Sequence, residues 1–344
     1  MIRFIDGHND TLLALHSTGG DAAGFRSRPF GHIDLERARG SGLAAGFFAV
    51  FVEPQSEEER AATRIPTRKP PYAQPLARAV PLEYARHEAD AMIELLHRLD
   101  GVVVARDVGV VEAALAGGPL AAILHFEGAE PIDSKLETLG QLYDAGLRSV
   151  GVVWSRPNAF AEGVAFRFPS TPDTGPGLTD AGRGLVRACN ELGIVVDLAH
   201  LTERGFWDVA EISEAPLVAS HSNAHTLSAN SRNLLDAQLD EIGRSGGIVG
   251  ITFHAGMLTA EGGIDTAAPL DRIVDHVEHV ANRIGIDHVG FGSDFDGAVV
   301  PDAVEDVRVL PRLVEALRKR GYAKHEIAKL AHENWLRVLR KTWS

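Results

Sequence analysis

The chain alternates short apolar runs with longer segments in which apolar residues recur at helical spacing. Eight apolar runs end in polar loops: Arg3–Asp6, Leu43–Val52, Leu120–Phe126, Ser149–Trp154, Ile194–Ala199, Leu217–Ser220, Gly247–Phe253 and His288–Ser293. A continuous apolar run predicts a strand that is buried on both faces, as in a parallel sheet covered by helices. Eight such strands alternating with helices predict an α/β fold, a (β/α)8 TIM-type barrel.

Helical periodicity supports this alternation. Helices are predicted over Glu83–Leu99, Leu136–Ala145, Thr179–Leu192 and Leu270–Ile284. Thr179 or Asp180 suits the N-cap of the third helix, and Gly193 suits the position after its last turn. Two histidines of the last helix, His276 and His279, are expected to face solvent.

Two segments, residues 53–79 and 155–177, are too long to be simple connections. The first contains five prolines and many charged residues, and the second is rich in proline, glycine and phenylalanine. Loops of this length usually carry function. Because the strands resume after both segments, we interpret residues 1–344 as a single barrel domain with these loops near the active-site mouth.

Composition and charge narrow the class of protein. The formal net charge of −13 argues against nucleic acid or an anionic membrane surface as a partner. The single Cys189 excludes an internal disulfide and is interpreted as a small packed residue. No apolar run reaches membrane-spanning length and no signal peptide is recognised at the start, so the expected compartment is the cytoplasm.

Side chains that can bind metal follow five of the predicted strands. His8 and Asp10 follow the first strand, and because they are two residues apart, an extended backbone points both the same way. The third, fifth, sixth and eighth strands are followed by Glu127, His200, His221 and Asp294. The carboxyl ends of barrel strands meet at one mouth, so we expect these side chains to converge on a metal site.

The types of side chain indicate the metal and the reaction. Three imidazoles and two carboxylates suit two divalent ions that share one carboxylate, and this mixture favours zinc over magnesium or calcium. Two ions about 3.5–4 Å apart can share a hydroxide that is nucleophilic at neutral pH. The expected cofactor is therefore two Zn²⁺ per subunit, and the expected reaction is hydrolysis. Asp294 lies outside this ligand set and suits a proton shuttle from the water to the leaving group.

The same motifs resemble those of the renal (membrane) dipeptidase family, zinc metallopeptidases of the amidohydrolase superfamily. The motifs that carry the resemblance are His8-Asn9-Asp10, Glu127-Gly128, Val196–His200, Ser220-His221-Ser222, Arg232-Asn233 and Asp287–Gly297. The similarity continues to a C-terminal stretch, residues 333–339, and therefore covers essentially the whole chain.

The resemblance implies a role for each of these site residues. His8 and Asp10 would bind the first zinc ion, and His200 and His221 would bind the second. Glu127 would bridge the two ions. Asp294 would accept the proton of the bridging water and pass it to the departing amine. Arg232 would bind the free α-carboxylate of the substrate, for which a planar bidentate guanidinium is well suited.

The chain departs from the family at the end of the fourth strand. Members like the renal enzyme carry a histidine there that contacts the substrate and helps to polarise the scissile carbonyl, whereas this chain has Trp154. An indole donates one N–H and carries no charge, so it cannot fully replace an imidazolium at a developing oxyanion. His254, after the seventh strand, is the preferred replacement, and Asn158 or Arg156 could reach the site from the loop. Trp154 could equally form a wall of the substrate pocket.

Three functions remain as alternatives. The first is a binuclear zinc dipeptidase acting on dipeptides with a free C-terminal carboxylate, and the resemblance implies that L-Xaa-D-Xaa substrates such as L-Ala-D-Ala are included. The second is another amidohydrolase reaction such as deacylation of N-acyl-(D-)amino acids, which needs the same metals and the same carboxylate contact. The third is a non-catalytic protein that binds metal or peptide. The resemblance also leaves a homodimer open.

Overall fold

Eight parallel strands close into a barrel in the computed structural model, which describes residues 1–63 and 69–343. In chain order they are β1 (Phe4–Asn9), β2 (Leu43–Phe51), β3 (Leu120–Glu127), β4 (Leu147–Gly151), β5 (Val195–Asp197), β6 (Val218–Ala219), β7 (Ile248–Ile251) and β8 (Val289–Phe291). Neighbouring strands follow the order β2-β1-β8-β7-β6-β5-β4-β3. Strand β2 also pairs with β3, from Ala45 opposite Ala121 to Phe51 opposite Glu127, and this pairing closes the circle. The predicted (β/α)8 barrel is confirmed.

Helices connect the strands and cover the outside of the barrel. The α-helices are Thr11–His16, Leu35–Ser41, Glu57–Thr63, Leu82–Arg98, Val108–Leu115, Leu139–Ala145, Asp180–Leu192, Glu203–Ile212, Asp236–Arg244, Asp271–Ile284, Leu310–Lys319, Lys324–Ala328 and Asn334–Thr342. The predicted cap of Asp180–Leu192 is confirmed, because Thr179 accepts a hydrogen bond from the backbone N–H of Gly182 and Gly193 adopts a φ of 66°. Within the described part of the chain, every helix is too short or too polar to cross a bilayer.

The barrel interior is packed around Trp335, which comes from the last helix and is fully buried. Its Nε1 donates a hydrogen bond to the carbonyl of Phe291 at 3.1 Å. Gly7 of β1 and Gly290 of β8 lie against the indole, and a methyl group at either position would overlap it. The glycines in these two strands therefore make room for a large aromatic side chain inside the barrel.

The structure differs from the sequence-based prediction in two places, near the third and fourth strands. Val102–Val104 forms an additional strand, not predicted, that pairs in parallel with Leu120–Ala122 at the start of β3. Strand β4 ends at Gly151, earlier than the predicted end at Trp154. Trp154 therefore lies in the following loop, where its carbonyl accepts a hydrogen bond from the backbone N–H of Arg156 at 2.7 Å.

The two long segments pair with each other. In the first segment, the helix Glu57–Thr63 is followed by a short strand, Tyr72–Ala73, and residues 64–68 lie outside the described residues. Tyr72–Ala73 forms an antiparallel pair with Arg167–Phe168 of the second segment. The backbone N–H of Gln74 also donates to the carbonyl of Phe166 at 2.8 Å. The segments thus form one continuous structure.

The prediction that His276 faces solvent is wrong. Its side chain is fully buried, and its Nδ1 accepts a hydrogen bond from the backbone N–H of Ala224 at 3.2 Å. Its Nε2 lies 3.1 Å from the carbonyl of Leu258, to which it donates. Burial lowers the pKa of His276 to about 4, so the ring is neutral and holds two loops to the helix. His279 lies on a more exposed part of the same helix, 3.0 Å from Asp236 Oδ1.

Candidate metal centre

The five predicted metal ligands lie together at the carboxyl ends of the barrel strands. They come from β1, β3, β5 and β6 or from the residues that follow them: His8 and Asp10, Glu127, His200, and His221. All five side chains are buried, with exposed fractions no greater than 6%. Parallel strands of a closed barrel present their carboxyl ends at one mouth, which is why residues more than 200 positions apart meet here.

Glu127 lies between two pairs of ligand side chains. Its Oε2 is 3.7 Å from His8 Nε2, which is 3.2 Å from Asp10 Oδ2. Its Oε1 is 3.1 Å from His200 Nε2 and 3.7 Å from His221 Nε2. One oxygen of Glu127 therefore faces His8 and Asp10, which we call the first pair. The other oxygen faces His200 and His221, which we call the second pair.

The charge of the cluster fits bound cations. Burial and the neighbouring Asp10 raise the pKa of Glu127 well above its usual value. Burial opposes a charge on His8, but Glu127 and Asp10 outweigh this effect and raise the pKa of His8 to about 10. The Oδ1 atom of Asp10 is buried with no hydrogen-bond partner among the described residues. Crowded carboxylates, imidazole nitrogens and an unpaired buried oxygen are a donor set for divalent metal such as zinc.

Serine hydroxyls orient the two histidines of the second pair. Ser155 Oγ is 2.9 Å from His200 Nδ1, and Ser220 Oγ is 2.8 Å from His221 Nδ1. Ser220 Oγ also donates to Asp197 Oδ2 at 2.6 Å, so its oxygen can accept the Nδ1 proton of His221. Such hydrogen bonds leave the Nε2 lone pairs directed at the centre, as metal-binding histidines require. No role was predicted for either serine from the sequence.

Asp6 is a third buried residue at the site whose role no sequence motif indicated. Its carboxylate accepts hydrogen bonds from the backbone N–H of Ser293 at 2.7 Å and from Ser293 Oγ at 2.8 Å. Burial raises the pKa of Asp6 to about 6, although these hydrogen bonds oppose the shift. Asp6 and His8 alternate along β1 and Asp10 follows its last residue, so the i, i+2 spacing that indicated two ligands also contained the signal for this third side chain.

Asp294 lies beside the first pair on a strained backbone. Its N–H donates to the carbonyl of His8 at 3.0 Å. Its carboxylate lies close enough to the His8 imidazole and the Asp10 carboxylate for the three side chains to hold one metal ion. Burial raises the pKa of Asp294 to about 6, against the opposing charge of His8. The φ values of Asp294, Asp296 and His200 are 63°, 68° and 66°, a left-handed region in which residues other than glycine are uncommon. Such strain is concentrated at functional sites.

Asp296 fastens the loop after β8 to the connection between β1 and β2. Its Oδ2 accepts from Thr11 Oγ1 at 2.9 Å and from Arg28 Nη1 at 3.4 Å. Its Oδ1 accepts from the backbone N–H of His32 at 2.6 Å. Arg28 and His32 carry no local motif that indicates this contact, and they are about 270 residues away in sequence. The anchor holds the backbone that presents Asp294.

Arg232 reaches the same centre from the loop after β6. Its Nη2 donates to the carbonyl of His221 at 3.2 Å, and the residue is only 5% exposed. Burial lowers the pKa of Arg232 to about 10, while the charges of Asp294 and Glu127 favour its protonated form. A buried guanidinium next to a carboxylate cluster is suited to bind an anionic group of a ligand.

The two long segments hold the loop that carries Arg232. Tyr72 Oη accepts a hydrogen bond from Asn230 Nδ2 at 3.1 Å. Ser231 Oγ accepts from the backbone N–H of Arg167 at 2.9 Å. Asn230 Oδ1 in turn accepts from the backbone N–H of Arg232 at 3.0 Å. The position of the guanidinium therefore depends on residues of both segments.

Trp154 stands beside the second pair of ligands. Its ring centroid lies 5.0 Å from that of Phe51, 5.8 Å from that of Phe166 and 5.8 Å from the His200 ring. The guanidinium of Arg156 lies 5.6 Å from the indole and its Nε donates to Glu130 Oε1 at 2.8 Å, in a pair that is buried. Trp154 thus forms an aromatic wall next to His200, with Arg156 behind it.

The other two predicted substrate contacts differ in their surroundings. Burial, followed by the charges of Arg232, His8 and His254, holds the pKa of His200 well below its usual value. The Nδ1 atom of His254 accepts a hydrogen bond from the backbone N–H of Gly256 at 3.4 Å and lies 3.3 Å from the carbonyl oxygen of Val299. Asn158 uses its amide inside its own loop. Its Nδ2 donates to the carbonyl of Val152 at 2.9 Å, and its Oδ1 accepts from the backbone N–H of Phe160 at 2.8 Å. These hydrogen bonds favour a structural role for Asn158.

Comparisons with known proteins agree with this geometry. The model of the membrane dipeptidase family, peptidase family M19, matches residues 1–343. A metallo peptidase from Rhodobacter sphaeroides, liganded with a phosphinate mimic of the dipeptide L-Ala-D-Ala, is 42% identical and has a TM-score of 0.93, with 99% of each chain covered. The dipeptidase AC of family M19 is also 42% identical, with a TM-score of 0.92 and 99% of each chain covered.

A curated relative points to the same family. Dipeptidase tcpJ from Claviceps purpurea (strain 20.1) is 30% identical over 349 residues, which cover 98% of this chain and 76% of that protein. The family model extends over nearly the whole chain, including every candidate metal ligand described above. The chain therefore belongs to the membrane dipeptidase family, peptidase family M19, and is a metallodipeptidase on a (β/α)8 TIM-type barrel.

Proposed function

We propose that this protein is a binuclear zinc dipeptidase that cleaves dipeptides with a free C-terminal carboxylate, including L-Xaa-D-Xaa substrates such as L-Ala-D-Ala. The observation that carries the proposal is the position of Glu127, whose two carboxylate oxygens face two separate pairs of metal-type side chains. The similarity to the Rhodobacter sphaeroides peptidase liganded with an L-Ala-D-Ala mimic supports the substrate class.

Two Zn²⁺ ions would be held by five side chains of this chain. His8 and Asp10 would bind one ion, His200 and His221 the other, and Glu127 both. When bound, the ions would activate a water molecule and polarise the scissile carbonyl. Ser155 and Ser220 would hold the imidazoles of His200 and His221 in the orientation that this binding needs.

Asp294 would move the proton in the reaction. Its carboxylate lies next to His8 and Asp10, and burial raises its pKa to about 6. A carboxylate of this kind can take a proton from the attacking water and give it to the leaving nitrogen. The left-handed backbone at Asp294, supported by the contacts of Asp296, would keep the carboxylate directed at the reacting atoms.

Arg232 and His254 would bind the substrate at its charged and polar ends. The buried guanidinium of Arg232 would donate two hydrogen bonds to the free α-carboxylate, and this fixed contact would favour two-residue substrates. His254 would donate a hydrogen bond near the scissile carbonyl, in place of the family histidine that is Trp154 here. Both ends of the Asn158 amide form hydrogen bonds with backbone atoms of its own loop. We therefore assign Asn158 no role in substrate binding.

Zinc analysis combined with a substrate panel tests this proposal. Purified protein loaded with Zn²⁺ is expected to bind two ions per chain and to release amino acids from L-Ala-D-Ala. The variant D294N should keep its zinc and lose about 10²–10⁴-fold in kcat. The exposed Asp302 offers a matched control, D302N, which should retain wild-type turnover. Cleavage of N-acetyl-D-alanine with no cleavage of dipeptides would favour the deacylase, and bound zinc with no turnover would favour a binding protein.

A further inference from the structure

Two buried aspartates each hold a serine at the mouth of the barrel in the same way. Asp197 of β5 accepts a hydrogen bond from the backbone N–H of Ser220 at 2.8 Å on Oδ1 and from its hydroxyl at 2.6 Å on Oδ2. Asp6 of β1 accepts from the backbone N–H of Ser293 at 2.7 Å and from its hydroxyl at 2.8 Å. All four side chains are buried, and each serine directly precedes a residue of the proposed site.

The two contacts differ in what lies beyond the serine hydroxyl. Ser220 Oγ lies 2.8 Å from Nδ1 of His221, a proposed zinc ligand. Ser293 Oγ instead lies 3.2 Å from the backbone carbonyl oxygen of His8, to which it can donate. Asp197 is therefore the first member of a carboxylate–hydroxyl–imidazole chain, whereas the contact of Asp6 ends on the backbone.

The direction of the hydrogen bonds in this chain follows from Asp197. A carboxylate has no proton to donate, and Asp197 Oδ1 also accepts from the backbone N–H of Ala199 at 3.0 Å. Ser220 therefore gives its hydroxyl proton to Asp197, and a lone pair of its oxygen faces His221 Nδ1. The proton of a neutral imidazole must then lie on Nδ1, which leaves a lone pair on Nε2, the atom that faces Glu127 at 3.7 Å. A metal-bound His221 needs this tautomer.

His200, the other histidine of the second pair, has a simpler partner. Its Nδ1 lies 2.9 Å from Ser155 Oγ, and no carboxylate among the described residues contacts that hydroxyl. A hydroxyl alone can donate or accept, so Ser155 orients the ring but leaves its tautomer open. Of the two rings, that of His221 has its tautomer set by a buried carboxylate.

We propose that Asp197 is a positioning residue, which acts through Ser220 to fix the tautomer of His221 and so raises the affinity of the second pair for zinc. The inference rests on the proposed function, because it takes His221 as a zinc ligand. The isosteric variant D197N keeps the shape of the side chain but reverses the chain. Its amide oxygen is needed by the two backbone N–H groups, so its NH2 group donates to Ser220 Oγ, which then donates to His221 Nδ1. The ring proton moves to Nε2 and competes with zinc.

Competition for zinc measures this effect without relying on catalysis. Zinc-loaded protein is titrated with a chelator, and the zinc retained per chain gives a dissociation constant for each of the two ions. Loss of the partner behind a metal-binding histidine typically weakens metal binding by about 10–100-fold. We expect S220A to raise one constant by this factor, which identifies the ion held by His221, and D197N to raise the same constant to a similar extent. The double variant D197N/S220A should lose no more than S220A alone, because both changes break one chain.

Two further variants separate this role from a general loss of structure. D6N alters the matched contact that reaches no imidazole, so it should leave the constant of the ion held by His221 unchanged. D302N changes an exposed aspartate and should leave both constants unchanged. Equal losses in D6N and D197N, or additive losses in the double variant, would overturn the role of Asp197 through Ser220.

The same titration distinguishes failure of this inference from failure of the proposed function. A wild type that holds two zinc ions, with both constants unchanged in D197N, would remove the role of Asp197 and leave the binuclear site in place. If D197N yields no folded protein, unchanged constants in S220A would remove it equally. A wild type that holds fewer than two zinc ions would refute the proposed function and this inference together.

Discussion

Gly297 gives the sharpest test of the site geometry, because a single methyl group there would displace two functional carboxylates. A Cβ atom at residue 297 would overlap Asp10 Oδ2 and would lie 2.9 Å from Asp294 Oδ1. Ordinary contact begins at 3.4 Å, so Asp294 must retreat by about 0.5 Å and Asp10 by on the order of 1 Å. The φ of Gly297 lies outside the left-handed region, so alanine is not strained by the backbone itself.

The variant G297A should therefore fold well and catalyse poorly. Asp10 has a short side chain that can rotate away at little cost to folding, but the rotation would remove its oxygen from the position proposed for binding zinc. A displacement of about 1 Å at reacting groups can lower the rate by roughly 100-fold. We expect a loss of this size in kcat/KM for L-Ala-D-Ala, a reduced zinc content, and a melting temperature within a few degrees of the wild type.

Kinetics, zinc analysis and thermal unfolding of G297A check these three expectations together. The matched control is G184A, because Gly184 lies on the helix Asp180–Leu192 and a methyl group there would meet no atom within 4 Å. That control should keep wild-type activity and gain a little stability, since alanine is a better helix residue than glycine. Wild-type kcat/KM and zinc content in G297A would refute the steric argument.

Three further changes have defined outcomes. In R232K the charge remains but the bidentate fork is lost, so the preference for a dipeptide over its C-terminal amide should shrink by about 10- to 100-fold in steady-state assays. Chelation by EDTA should abolish hydrolysis and lower the melting temperature, because the carboxylates around Glu127 would lose the positive charge that offsets their repulsion. Added Zn²⁺ should restore both activity and melting temperature. An unchanged melting temperature after chelation would show that bound metal does not offset this repulsion. His276 has its pKa lowered from 6.5 to about 4, so the unfolded chain takes up this proton first as the pH falls below 6.5, and stability falls by up to roughly 3 kcal/mol by pH 4. The variant H276Q does not titrate here and lacks this loss. Urea unfolding at pH 7 and pH 5 should therefore show that the difference in free energy of unfolding between the wild type and H276Q becomes smaller at pH 5. A difference that stays constant would contradict the burial of a neutral His276.

Much of the barrel could be predicted because its signals are local. Apolar runs separated by helical periodicity place eight strands, and a parallel barrel requires their carboxyl ends to meet at one mouth. The i, i+2 alternation in β1 places His8 and Asp10 on the same side of the strand. The structure agrees in both respects and brings Glu127, His200 and His221 to the same centre.

Other features have no local signal, because they depend on contacts between distant segments. Periodicity alone could not tell whether His276 meets solvent or the loops of Ala224 and Leu258 that cover its helix. The strand containing Val102–Val104 is recognisable from its pairing with β3 but is too short to be predicted from its residues. Trp154 could not be oriented either, because β4 ends three residues before it and the following turn decides where the indole lies.

The sequence by itself determined the barrel and the types of side chain at the ends of its strands, since strand and helix periods are properties of short segments. The tertiary structure decided how those side chains work together. It brought Ser155 to His200, joined Asp296 to Arg28, and placed both long segments against the loop of Arg232. Each of these contacts spans tens to hundreds of residues, and its geometry is set by the closure of the barrel and the packing of its loops, which no local pattern encodes.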